Sequence, residues 1–210
     1  MPRHVRITLT TVVIALTAVV TLSADIKFMS TFKSLNAGGT NFFGKKVGAL
    51  VISNDQGIRV PAEEAMVREL NARGMQAVAT YRIVPKEELA RAETAKPWLE
   101  KSGIEGIVII RPVSAETRGY SSGTWVTTNY STFWGYYGYG WAAVYVPAAA
   151  RRETTVVVET TIYNVPKNEL LWAAVTESTN PRDLQGFINE LTKQTVKEMQ
   201  KQGLAKSQGR

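Results

Sequence analysis

Apolar and polar positions along the chain change period several times, and each change marks an element. Residues 26–32 read as a short edge strand, and 36–44, with Gly38-Gly39, as a loop. Residues 45–53 form a nearly continuous apolar run bounded by turn formers, the pattern of a strand covered on both faces. Over 60–73 the period becomes helical: Ala62, Ala65, Met66 and Leu70 fall on one side, with Pro61 in the first turn and Gly74 at the end. Residues 75–84 predict a second strand, 85–102 one or two helical pieces with Pro97 opening the second, and 104–113 a third buried strand.

The pattern then turns antiparallel. Residues 152–163 and 170–178 are β-branched or apolar runs around a short polar loop, a hairpin signature. Asn180, Pro181 and Asp183 suit a helix start, and Leu184, Phe187, Ile188, Leu191 and Met199 make its buried stripe up to Gly203. The expectation is one α/β domain over 45–204, with β-α-β-α-β followed by an insertion, a hairpin and a C-terminal helix on a mixed sheet. Residues 25–44 form an N-terminal extension and 205–210 a disordered tail.

The insertion, residues 114–150, breaks the pattern. No charged residue occurs between Tyr120 and Ala150, yet ten of the nineteen aromatic residues lie there. Its centre, 133–141, interleaves rings with glycine. In an extended conformation Tyr137, Tyr139, Trp141 and Tyr145 would share one face. Ten rings offer ~2000 Å²; one third left exposed exceeds what a monomer ordinarily shows to water. Trp125, Tyr130, Phe133, Trp134, Tyr136, Tyr137, Tyr139, Trp141 and Tyr145 are therefore the candidate partner-binding residues. Four coverings fit the composition. The segment can fold back over its own sheet or a strand edge, meet a membrane, stack on cell-wall glycan, or dock on an envelope protein. The stretches 124–134 and 136–146 have the length of tilted barrel strands, which would make the chain a subunit of an oligomeric pore.

Composition narrows the chemistry. Without cysteine the chain has no disulfide, thiolate metal site or thiol nucleophile, and the sole histidine, His4, lies in the N-terminal segment. No cofactor or metal is expected. In that segment Arg3 and Arg6 precede eighteen uncharged residues, 7–24, an export signal. A helix of that length would span ~27 Å, so an uncleaved anchor is the alternative to cleavage after Ala24. The remainder carries 23 basic and 18 acidic side chains with no long block of either sign, which argues against nucleic acid.

Weaker signals are read conservatively. The glycine spacing over 135–140 matches no nucleotide-binding pattern. Glu159 and Glu177 would approach across the hairpin; paired carboxylates perform glycoside hydrolysis, although two carboxylates on the wet face of a hairpin are ordinary. Glu63-Glu64 reads as a solvated first-turn pair. Ser53-Asn54-Asp55 follows a parallel strand at its carboxyl end, where ligands often bind, and without a glycine fingerprint it reads as a loop.

The run 43–53 (FGKKVGALVIS), Arg59, Glu63-Glu64, Leu70, the Tyr/Gly/Trp insertion and 176–181 (TESTNP) resemble a family of uncharacterised exported bacterial proteins, many of them lipoproteins. The resemblance implies a fold like the TolB amino-terminal domain and the penicillin-binding-protein activator lipoproteins, and a role in binding or assembly instead of catalysis. Lipid attachment is excluded here by the missing cysteine. The expectation is a non-catalytic binding or assembly module of the cell envelope, with a wall hydrolase using Glu159 and Glu177 as the alternative.

Overall fold

The computed structural model describes residues 25–114, 119–145, 155–179 and 184–205. The expected signal segment 1–24, the capping residues Asn180, Pro181 and Asp183, the side chain of Leu184 and the tail 206–210 lie outside the described residues. Ala205, placed at the start of that tail, is buried.

A single open sheet carries the strands β1 (Ile26–Lys33), β2 (Lys46–Val51), β3 (Gln76–Ala79), β4 (Gly106–Val113), β5 (Thr155–Asn164) and β6 (Glu169–Thr179), in the order β1-β6-β5-β4-β2-β3. β2 runs parallel to β3 and β4, and the remaining pairings are antiparallel. The chain is thus a mixed α/β protein, as its pattern predicts. Helices α1 (Gln56–Asn71), α2 (Lys86–Leu89), α3 (Ala92–Lys101), α4 (Thr128–Ser131), α5 (Phe133–Ala142) and α6 (Leu184–Lys201) pack on it.

Strand alternation divides the interior in two. On the first face Val47, Ala49, Val51, Val108, Ile110, Val158 and Ile162 meet the apolar stripes of α1 and α6 in an aliphatic core. On the second, Leu50, Ile52, Ile107, Ile109, Val157 and Val175 meet α3 and the aromatic segment. Phe187, Ile188, Leu191 and Met199 of α6 are buried as expected, while Lys193, Lys197 and Lys201 are exposed.

Several boundaries differ from the sequence reading for local reasons. Helix α1 begins four residues before the expected start, because the Asp55 carboxylate accepts from Gly57 N at 2.8 Å and caps it; Pro61 therefore sits inside the helix. Pro97 likewise lies within α3 instead of opening it. Glu63 is not solvated but fully buried. Its Oε1 accepts from Val51 N at 3.1 Å and Thr80 Oγ1 at 2.8 Å, and its Oε2 from Tyr81 N at 2.9 Å. Those bonds hold residues 80–82 in a 3₁₀ turn, so β3 ends at Ala79 and the strand expected over 75–84 is short.

Candidate functional site

The aromatic insertion is helical, which corrects both the extended reading and the barrel-strand reading of 124–134 and 136–146. A 3₁₀ turn over Ser122–Val126 leads into α4 and then α5, whose first turn is capped by Thr132 Oγ1 accepting from Gly135 N at 3.2 Å. Three glycines in ten residues oppose helix formation. Packing overrides that cost, and one glycine is part of the packing. A Cβ on Gly140 would lie 2.5 Å from Ile52 Cδ1, so its absence lets α5 settle onto Ile52, the residue that follows β2. Gly138 has open space around its position.

The helix places most of its rings inward, onto the second face of the sheet. Trp125, Tyr130, Phe133, Tyr136, Tyr137 and Trp141 are all buried. These six proposed contact residues belong to the monomer's own core, where they pack with Ile107, Ile109, Val157, Tyr163 and Val175 on that face of the sheet. Their rings meet edge-on or tilted: Tyr130 lies 5.2 Å from Trp125 and 5.5 Å from Tyr136, and Phe133 lies 5.8 Å from Tyr163. Such pairs contribute about 0.5–1.5 kcal/mol each beyond the area they bury.

Under this cap lies a buried ion pair. Arg111 of β4 and Glu159 of β5 stand directly opposite in the ladder. Arg111 Nη2 and Nε donate to Glu159 Oε2 at 2.7 and 3.0 Å, and Nη1 donates to the Ala143 carbonyl at 3.2 Å. The Tyr136 hydroxyl donates to Glu159 Oε2 at 2.9 Å, and the Tyr130 hydroxyl lies 3.2 Å from Oε1. Burial works against the guanidinium's charge, but Tyr136 and Glu159 outweigh it and hold Arg111 above the usual arginine value. Burial, reinforced by the Glu159 charge, raises the Tyr130 and Tyr136 phenols, so both remain donors.

Glu159 is consequently not on a wet face. It is fully enclosed, and Glu177, on the same side of the hairpin and diagonal to it in register, is partly buried. The hydrolase alternative needs both carboxylates to reach substrate, whereas Glu159 is occupied by a guanidinium and two phenols.

What the cap leaves open is a cleft of about 450 Å³, bordered by Arg111, Tyr120, Tyr139, Ala143, Val144 and Tyr145. The Tyr139 ring covers the Arg111 guanidinium at 4.9 Å. Burial raises the Tyr139 phenol, but the hydrogen bond from Tyr130 and the charge of Arg111 dominate and lower it. From Tyr120 a hydroxyl chain runs 2.9 Å to Tyr130 and on to Glu159, linking the cleft to the buried carboxylate. Tyr145 is exposed. Trp134 is half-buried at the opposite end of α5, where Lys96 Nζ sits 5.6 Å from its ring and its backbone N–H donates to Asn168 Oδ1 at 3.0 Å. Of the nine predicted residues, Trp134, Tyr139 and Tyr145 therefore reach the surface.

Sequence reasoning missed Arg111 and left Tyr120 out of the contact set. The signal for Arg111 was present: an arginine inside the apolar run 104–113 requires a buried acid, and Glu159 is the acid inside the next long apolar run. Among the described residues no group of three or more metal-ligating side chains converges, and no helix is long and apolar enough to cross a membrane.

No family model matches the chain, and no curated protein matches it. Among solved structures the chain is similar to PelC from Paraburkholderia phytofirmans, described as a dodecamer. The identity is 12%, the TM-score 0.45, and the match covers 84% of this chain and 97% of that one. A second PelC dodecamer, a single-substitution variant in another crystal form, gives 13% identity, the same TM-score, and 84% and 98% coverage. Superpositions this loose are compatible with quite different site chemistries.

Proposed function

We propose that the chain is a non-catalytic binding or assembly module of the bacterial cell envelope, and that its contact surface is the outer edge of the aromatic cap. The observation that carries this reading is the open cleft that Tyr120, Tyr139 and Tyr145 border together with Arg111, whose partner Glu159 is enclosed beneath the cap. Ring faces for stacking and phenolic hydroxyls for hydrogen bonding suit a sugar-bearing envelope polymer. The uncharged stretch 7–24 behind Arg3 and Arg6 supports an exported location. The resemblance to exported bacterial proteins points the same way. The enclosure of Glu159 speaks for binding over hydrolysis.

The test is cosedimentation of the purified protein with peptidoglycan sacculi, beside vesicles of anionic phospholipid. Saturable binding to sacculi that is lost in the Tyr139→Ala/Tyr145→Ala variant, with the thermal midpoint little changed, is the expected result. Equal sedimentation of wild type and variant, or binding only to vesicles, would overturn it.

A further inference from the structure

A second site lies at the carboxyl end of β2, where Ser53, Asn54 and Asp55 lead into α1. A small cavity of about 90 Å³ opens there, with exposed Asn54, Gln56 and Lys86 at its rim and Arg59, Leu89 and Trp141 beneath. It shares no lining residue with the tyrosine cleft: Tyr139 borders that cleft, and Trp141, half a turn later on α5, borders this cavity.

Arg59 makes the cavity chemically unusual. Its side chain is 5% exposed, and its Nε is buried with no hydrogen-bond partner. The obvious counter-charge is Glu63, one helical turn on, but both Glu63 oxygens are already engaged by Val51 N, Thr80 Oγ1 and Tyr81 N. The exposed Asp55 caps Gly57 N through its Oδ1. Among the described residues no carboxylate lies within ion-pair distance of the guanidinium. A buried guanidinium Nε–H without an acceptor is costly, and an anion seated on it would remove the cost. Trp141 Nε1 is also buried without a well-formed hydrogen bond, being only weakly engaged with the Tyr137 hydroxyl. Lys86 supplies a second positive charge, and the cavity adjoins the amino end of a sixteen-residue helix.

We infer that this cavity is a binding site for a tetrahedral oxyanion, a phosphate or phosphate monoester, held by Arg59 from below and Lys86 from the rim. The cavity is roomy enough for one such group. Charge-assisted hydrogen bonds from Nε and the indole would fix its orientation.

The experiment is titration of the full chain with inorganic phosphate at constant ionic strength, followed by calorimetry and by tryptophan fluorescence. Saturable one-to-one binding, weakened about tenfold or more in Arg59→Met, is expected. Lys86→Ala, an exposed change that leaves the fold intact, should weaken binding about threefold. No saturation, or equal affinity in wild type and Lys86→Ala, would overturn the inference. Stronger competition by glycerol 3-phosphate identifies a soluble monoester as the occupant. Cosedimentation with phosphatidic acid vesicles, lost in Arg59→Met, identifies a lipid headgroup.

Discussion

Glu63 and Glu159 are both fully enclosed, yet they sit in opposite electrostatic settings. Glu159 faces a guanidinium and two phenols under the aromatic cap. Glu63 faces two backbone N–H groups and a threonine hydroxyl between α1, β2 and the turn after β3. Burial pushes Glu63 from its ordinary 4.5 up to about 7, against the pull of those hydrogen bonds and of Arg59. One carboxyl is thus half of a structural ion pair, whereas the other, raised to about 7, forms no ion pair with Arg59, whose Nε has no hydrogen-bond partner. Identical residues at identical burial therefore sit beside a closed ion pair in one region and beside an arginine with an unpartnered Nε in the other.

The largest effect should come from breaking the ion pair on one side only. Arg111→Met leaves Glu159 buried against phenols alone, and should lower stability by about 3–5 kcal/mol in urea denaturation. The double variant Arg111→Met/Glu159→Leu should recover most of that loss. A single variant as stable as wild type would erase the distinction between the two regions.

The second effect is a pH dependence with a defined sign. Because the folded-state value of Glu63 is raised, the folded chain holds more protons than the unfolded chain between pH 4.5 and about 7. This group's contribution is most favourable below pH 4.5, falls as pH rises through that window, and is constant above it. The total change is on the order of 3 kcal/mol. Subtracting the denaturation curves of Glu63→Gln from those of wild type should isolate this fall. A flat difference would show that Glu63 stays ionised throughout.

The smallest effects separate two glycines of one helix. Gly140→Ala places a methyl against Ile52 and should cost about 1–3 kcal/mol. Gly138→Ala meets open space and should stabilise α5 by about 0.5–1 kcal/mol. Equal melting shifts of the same sign would mean that α5 is not seated on Ile52.

The sheet was legible because its strands carry continuous apolar runs, and the period change at 152–178 marked the antiparallel half. α1 was legible as a stripe, but its start was hidden: the Asp55 cap acts through a side chain whose role depends on the following turn. The aromatic segment was recognisable as an anomaly, not as a helix. Its glycines disfavour a helix locally, and packing of its rings on the face of β4, β5 and β6 makes that conformation favourable. Burial of its rings reverses much of the expectation drawn from their hydrophobicity: Trp125, Phe133 and Tyr137 serve the core, and the proposed contact surface shrinks to the rim. Arg111 and Glu159 were readable separately, but their pairing follows from register, which composition does not specify. Arg59 and Glu63 share one face of α1, one turn apart, and what the sequence hides is that the fold engages both Glu63 oxygens with Val51, Thr80 and Tyr81.

Native-state hydrogen exchange of the α5 amides tests most directly whether the aromatic segment is a cap on its own sheet. The amides of Tyr136, Tyr137, Gly140 and Trp141 should exchange only through global unfolding, with protection equal to that of β4 and lowered in parallel by Arg111→Met. Exchange of those four amides within seconds, while β4 stays protected, would contradict the account.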